Sequence, residues 1–154
     1  MGKIVTIVNQ KGGVGKTTTC VSLTAALREK GQRVLLCDFD PQANATSGMG
    51  VDKSLSLGVY DVLLNDVEPE KRVVSTRYGD VLPSSKGLAG AGVEMVGIQD
   101  REHLLRRALE RLARAVDLPR EEPLDLLRDL QCQIGPAVVH GEQDPLQLQV
   151  GIQK

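Results

Sequence analysis

Aromatic residues are almost absent from this 154-residue chain: Phe39, Tyr60 and Tyr78 are the only three, and there is no tryptophan. A core must therefore be built from Val, Leu, Ile and Ala, and base stacking is disfavoured as a way of binding nucleic acid. Cysteine is scarce and unpatterned. Cys20, Cys37 and Cys132 are odd in number, far apart and without C-x-x-C spacing, which argues against a disulfide framework or a zinc site and for a reduced, cytoplasmic setting. His103 and His140 have no ligand-spaced partner. No apolar run approaches the roughly 20 residues of a membrane span, and the Met1 segment lacks the charged and apolar regions of a signal peptide. The expectation is a protein neither secreted nor membrane-spanning. Net charge is nearly nil as well, at −1, so no global field draws the chain to nucleic acid or an anionic membrane. What is present, 41% hydrophobic and 25% charged residues, suits one soluble globular unit.

Along the chain, Lys3 to Val8 is a β-branched run of the kind that forms a buried parallel strand, and it leads directly into a glycine-rich turn. From Lys16 the sequence is helix-compatible, with Cys20, Leu23 and Leu27 on one face and Gly31 as a stop signal. Arg33 to Asp38 reads as a second buried strand with acidic residues at its carboxyl end, completing a β-α-β unit. Pro41 to Met49 reads as a polar loop, Gly58 to Leu64 as a short helix and Asp80 to Pro83 as a short strand. Glu102 to Ala115 carries Leu104, Leu105, Ala108, Leu109 and Leu112 at helical spacing. The arginines between them, Arg101, Arg106, Arg107, Arg111 and Arg114, read first as a solvated face and second as a nucleic-acid or partner patch. After Asp117 the texture changes to Pro, Gln and scattered charge, with a short helix at Leu124 to Leu130 and a weak strand at Ala137 to Val139. The reading is an α/β fold with a P-loop NTPase-like parallel sheet flanked by helices, incomplete at the carboxyl end. Residues 1–115 form its amino-terminal part, and 116–154 a divergent tail outside the sheet.

The turn itself is Lys11-Gly12-Gly13-Val14-Gly15-Lys16-Thr17-Thr18. Between a parallel strand and a helix, such a loop converges backbone N–H groups on an anion while the helix N-terminus supplies positive potential. Gly12, Gly13 and Gly15 allow close backbone approach. Lys16 is placed to bridge β- and γ-phosphate oxygens, and the Thr17 hydroxyl to ligate magnesium. The usual G-x-x-x-x-G-K-[ST] pattern would need glycine at position 10, where Gln10 stands; with Lys11 and the double glycine, the match is to the deviant Walker A form. Asp38 and Asp40 end the second strand on the same sheet edge as the loop, where they serve either the site or the turn before Pro41.

Asn9 to Thr19, together with Asp38-Phe39-Asp40-Pro41-Gln42-Ala43-Asn44-Ala45-Thr46-Ser47-Gly48, resembles the ParA-type (ParA/MinD superfamily) partition ATPases. The likeness extends through Leu82-Pro83-Ser84 and Leu88-Ala89-Gly90-Ala91 to about Ala113. It implies ATP and Mg2+ as cofactors, and an ATP-dependent homodimer in which Lys11 reaches the partner's phosphates in the manner of an arginine finger. It also implies that Asp40 orients the attacking water and that Asp38 lies near the magnesium shell. Non-specific DNA, a ParB-like adaptor and a cytoplasmic, nucleoid-associated location follow from the same resemblance. A family member would follow the Arg-rich helix with a buried strand whose aspartate completes the magnesium site. Val116 to Pro123 stands there instead, so Asp117 is given no such role, and a truncated or altered-frame gene is the expectation. Two functions are therefore carried forward: a partition ATPase, and a nucleotide-binding module that neither dimerises nor turns over. A membrane-cycling relative would end in a basic amphipathic helix, and Pro145 to Lys154 has a single lysine.

Overall fold

The computed structural model describes residues 3–9, 11–54, 58–99, 103–104, 107–108, 110–111 and 147–153. Strand β1 (Lys3–Asn9) leads through the glycine loop to helix α1 (Lys16–Glu29), and β2 (Val34–Asp38) follows. Helix α1 ends where Gly31 takes a left-handed φ of 76°. There Gly31 N donates to Arg28 O (2.9 Å) and Gln32 N to Leu27 O (3.0 Å), the paired bonds of a Schellman stop.

All five residues of β2 are buried. Leu35 and Leu36 have no exposed surface, and each such side chain stabilises the fold by about 1.5–3 kcal/mol. Leu36 belongs to a core with Cys20, Ala45, Met49, Val51 and Val81, an aliphatic interior as the composition requires. The face that α1 buries differs from the expected one. Lys16, Cys20 and Thr24 are buried at four-residue spacing, whereas Leu23 is 37% exposed. Thr24 is accommodated because its Oγ1 donates to Cys20 O at 2.8 Å within the helix.

Residues 41–49 are not all loop. Helix α2 (Asn44–Gly48) lies within them, and α3 (Val59–Leu64) follows. A hairpin of β3 (Val74–Thr76) and β4 (Gly79–Leu82) comes next, then α4 (Leu88–Glu94). The described residues of the Arg-rich stretch, Leu104, Arg107, Ala108, Glu110 and Arg111, are helical. Here Arg111 contacts Asp66 at 2.5 Å. Arg101, Arg106, Arg114, Asp117, residues 124–130, residues 137–139, Cys132 and His140 lie outside the described residues.

The sheet order is β1-β5-β2-β4-β3. Its P-loop-like α/β class is as expected, but the sheet is mixed rather than parallel. Strand β5 (Gln147–Gln153) pairs antiparallel with β1 on one side and with β2 on the other. Only β2 and β4 pair in parallel. The reading that leaves 116–154 outside the sheet thus fails for 147–153, whose backbone fills the slot between β1 and β2. Antiparallel pairing satisfies the ladders of both neighbours, and β1 and β2 stay parallel to each other across it. No helix among the described residues is long and apolar enough to cross a membrane.

Candidate functional site

Both β1 and β2 run antiparallel to β5, with Asn9 opposite Gln147 and Asp38 opposite Gln149. Their carboxyl ends therefore meet at one sheet edge, and the glycine loop and the Asp38–Asp40 segment leave from it one strand apart.

At the loop, Asn9 Oδ1 accepts from Lys11 N at 2.9 Å, fixing the turn out of β1. Gly13 and Gly15 hold φ of 71° and 87°, angles that oppose a side chain. Among the described residues, no atom beyond each glycine's chain neighbours lies within 4 Å of where a Cβ on Gly12, Gly13 or Gly15 would sit, so the loop backbone is open on that side. Gly15 caps α1 without a side-chain hydrogen bond, and the first helical turn has no acidic residue. The positive end of the helix is left for an external anion. Lys11 and Val14 are exposed, whereas Lys16 is only 7% exposed and its Nζ donates to Lys11 O at 2.9 Å. Thr17 is half-buried and Thr18 exposed. A cradle of bare backbone with one inward ammonium fits a chain of phosphates, and the Thr17 hydroxyl at the helix start fits a hard divalent cation held mainly by phosphate and water oxygens.

The second part of the site is buried. Asp38 is fully buried and Asp40 1% exposed. Asp38 Oδ1 accepts from Asp40 N (3.1 Å), and Oδ2 accepts from Thr46 N (2.8 Å) and Thr46 Oγ1 (2.7 Å). Burial raises the Asp38 pKa above the ordinary carboxylate value, and the bonds from Thr46 and Asp40 oppose that rise. Thr46 Oγ1 in turn accepts from Ser84 N at 3.0 Å. The chain from Ser84 to Asp38 joins the exit of β4 to the exit of β2.

Asp40 is held by its own loop. Its Oδ1 accepts from Gln42 N (2.9 Å) and its carbonyl from Ala43 N (2.9 Å). Its Oδ2 is buried with no hydrogen-bond partner among the described residues, and the same is true of Ser84 Oγ. Ala43 sits at φ 54°, ψ 37°, a left-handed conformation that costs an L-residue roughly 1–2 kcal/mol. Strain of this kind persists only where surrounding bonds over-determine it.

Of the residues the sequence pointed to, Lys11 to Thr18 form one loop, and Asp38 and Asp40 lie at the same edge. Gln10 is outside the described residues. Both carboxylate oxygens of Asp38 accept from protein donors, one on Oδ1 and two on Oδ2, which leaves Oδ1 further acceptor capacity. Thr46 and Ser84 stood within the quoted segments but carried no assigned role. Nothing in local spacing reports a bond between positions 38 residues apart. Cys20 and Cys37 are free thiols buried in the core. Burial pushes Cys20 up to about 12 and Cys37 higher still, with Asp38 adding to both rises. Neither supplies a thiolate nucleophile.

A family model described as AAA domain matches residues 2–118. The sporulation initiation inhibitor protein Soj of Bacillus subtilis (strain 168) is 49% identical over 120 residues, 76% of this chain and 47% of that protein. The chromosome partitioning protein ParA of Myxococcus xanthus is 46% identical over 120 residues, 76% of this chain and 42% of that protein. Among solved structures, a cobyrinic acid a,c-diamide synthase from Mycobacterium smegmatis with bound ATP analog and magnesium superposes with a TM-score of 0.64. It is 48% identical, covering 68% of this chain and 43% of that one. A plasmid partition protein from Borrelia burgdorferi gives a TM-score of 0.57 at 28% identity, covering 68% of this chain and 47% of that one. The chain therefore belongs to the AAA domain family, and its matched residues correspond to the amino-terminal part of the ParA-type partitioning ATPases. It spans less than half the length of these relatives.

Proposed function

We propose that the chain binds ATP with magnesium at the Lys11–Thr18 loop and hydrolyses it in chromosome or plasmid segregation. The carrying observation is the pairing of an open glycine loop and inward Lys16 with a buried Asp40 whose Oδ2 has no hydrogen-bond partner among the described residues. The loop amides and Lys16 would hold the triphosphate, and Thr17 the cation, with Asp38 behind it. Bound magnesium supplies charge neutralisation at the phosphates. Asp40 would orient the attacking water by accepting a hydrogen bond from it through Oδ2. Lys11, exposed at the head of the loop, would reach the phosphates of a second copy in an ATP-dependent homodimer. Non-specific DNA and a ParB-like adaptor are the partners this reading carries, in the cytoplasm and on the nucleoid.

A second reading, nucleotide binding without turnover, is favoured by β5. The strand beside both halves of the site is Gln-Leu-Gln-Val-Gly-Ile-Gln and has no acidic residue. ATP turnover by the full chain with magnesium and DNA, beside an ATP-binding titration and a Lys11→Ala chain, separates the two. Turnover that depends on Lys11 supports the ATPase. Binding with no turnover leaves the binding module.

A further inference from the structure

Thr46 is fully buried and uses both capacities of its hydroxyl, donating to Asp38 Oδ2 and accepting from Ser84 N. Its own amide also donates to Asp38 Oδ2. The opposite oxygen of that carboxylate receives Asp40 N. Thus the Thr46 hydroxyl is the one side-chain donor among the three that hold the Asp38 carboxylate, and Asp38 in turn holds the backbone from which Asp40 projects. The loop between them includes the strained Ala43, whose amide is tied to Asp40 O and whose carbonyl accepts from Ser47 N one residue beyond Thr46.

We propose that Thr46 is a positioning residue for Asp40: its hydroxyl latches the exit of β4 to Asp38, and this latch holds Asp40 Oδ2 free and aimed for the reaction. This rests on the ATPase reading for its catalytic consequence, but the latch itself does not. Without the hydroxyl, Asp38 Oδ2 keeps one donor instead of two, Ser84 N loses its acceptor, and the left-handed turn loses a restraint. Asp40 then samples other orientations while the glycine loop still holds nucleotide. The expected signature is loss of rate without loss of affinity.

The test compares the full chain with Thr46→Val, Thr46→Cys and Thr46→Ser. In the nucleotide-free chain, amide hydrogen exchange at Asp40 and Gln42 should accelerate about tenfold in Thr46→Val. Exchange at Gln32, at the far end of α1, should not change. With ATP and magnesium, kcat should fall about tenfold with the ATP dissociation constant within about twofold of the unmodified chain. Thr46→Ser, which keeps the hydroxyl, should restore both. If Thr46→Val does not fold, Thr46→Cys, similar in size to serine but a weaker donor, is judged by the same two readings. Unchanged exchange at Asp40 and Gln42, or full kcat without the hydroxyl, overturns the proposal. Absence of turnover in the unmodified chain counts against the ATPase reading alone, and the amide exchange still decides whether Thr46 sets Asp40.

Discussion

The ammonium of Lys16 donates to the carbonyl of Lys11 across 2.9 Å, so the two lysines of the loop are joined through the backbone itself. On the proposed function, a phosphate chain entering the loop would compete for that ammonium, and occupancy of the loop would then bear on the freedom of its exposed second lysine.

Lys16→Ala should weaken ATP–magnesium binding at least about 10- to 100-fold, the weight of a charge-assisted hydrogen bond. Calorimetric titration checks this. Undiminished affinity would remove Lys16 from the phosphate site.

Gly58 is required by contact rather than by conformation. A Cβ there would lie 2.1 Å from Pro83 O, the carbonyl that accepts from Val59 N at 2.8 Å. Gly58→Ala should therefore cost about 1–3 kcal/mol, as overpacking does, read as a lower urea midpoint. Because Pro83 precedes Ser84, the same substitution should also disturb the latch to Thr46.

Val150 pairs with Thr6 on one side and Cys37 on the other. Val150→Pro removes a ladder donor from a strand with neighbours on both edges, where proline is not tolerated. The loss should be about 1–3 kcal/mol or more for each backbone group left unpaired. Thermal unfolding followed by circular dichroism checks this, and an unchanged midpoint would place β5 outside the sheet.

Asp38 gives a pH dependence with a definite sign. Its folded-state pKa is raised from 3.8 by burial, so the folded chain binds this proton more tightly than the unfolded one. Its contribution is most favourable below pH 3.8 and declines as pH rises through the raised value. Urea midpoints across that window should show this slope, and Asp38→Asn should flatten it. An identical slope in the variant would show that other groups set it.

Much of the first third was legible because two independent signals agreed there. Hydrophobic runs marked β1 and β2, and the glycine loop and Gly31 marked the ends of α1, but β1 is a half-buried edge strand paired antiparallel with β5, not the buried parallel strand expected. The buried face of α1 was misread because Thr24 satisfies its hydroxyl internally and so packs where Leu23 was expected. Helix α2 escaped because Asn44-Ala45-Thr46-Ser47-Gly48 has poor helix propensity and owes its start to Asp38, eight positions upstream of Thr46. Strand β3 has three half-buried or exposed residues, too few for a period to show. Strand β5 did carry a signal: Leu148, Val150 and Ile152 alternate with glutamines and a glycine, the pattern of a strand, masked by the polar texture around it. The site was legible where chemistry is written locally, at Lys11 to Thr18, and illegible where it depends on Thr46 and Ser84 meeting across the sheet.

The pairing of Lys3 with Gln153 also governs how the molecule is made. The first described strand waits for the last, so during synthesis β1 and β2 emerge with open edges that no nascent neighbour can cover. Closure of the sheet spans nearly the whole chain, an arrangement that folds slowly and leaves pairing surfaces exposed to other chains meanwhile. Until β5 arrives, the facing edges of β1 and β2 are therefore open to pairing with other chains, and yield on refolding should fall as protein concentration rises.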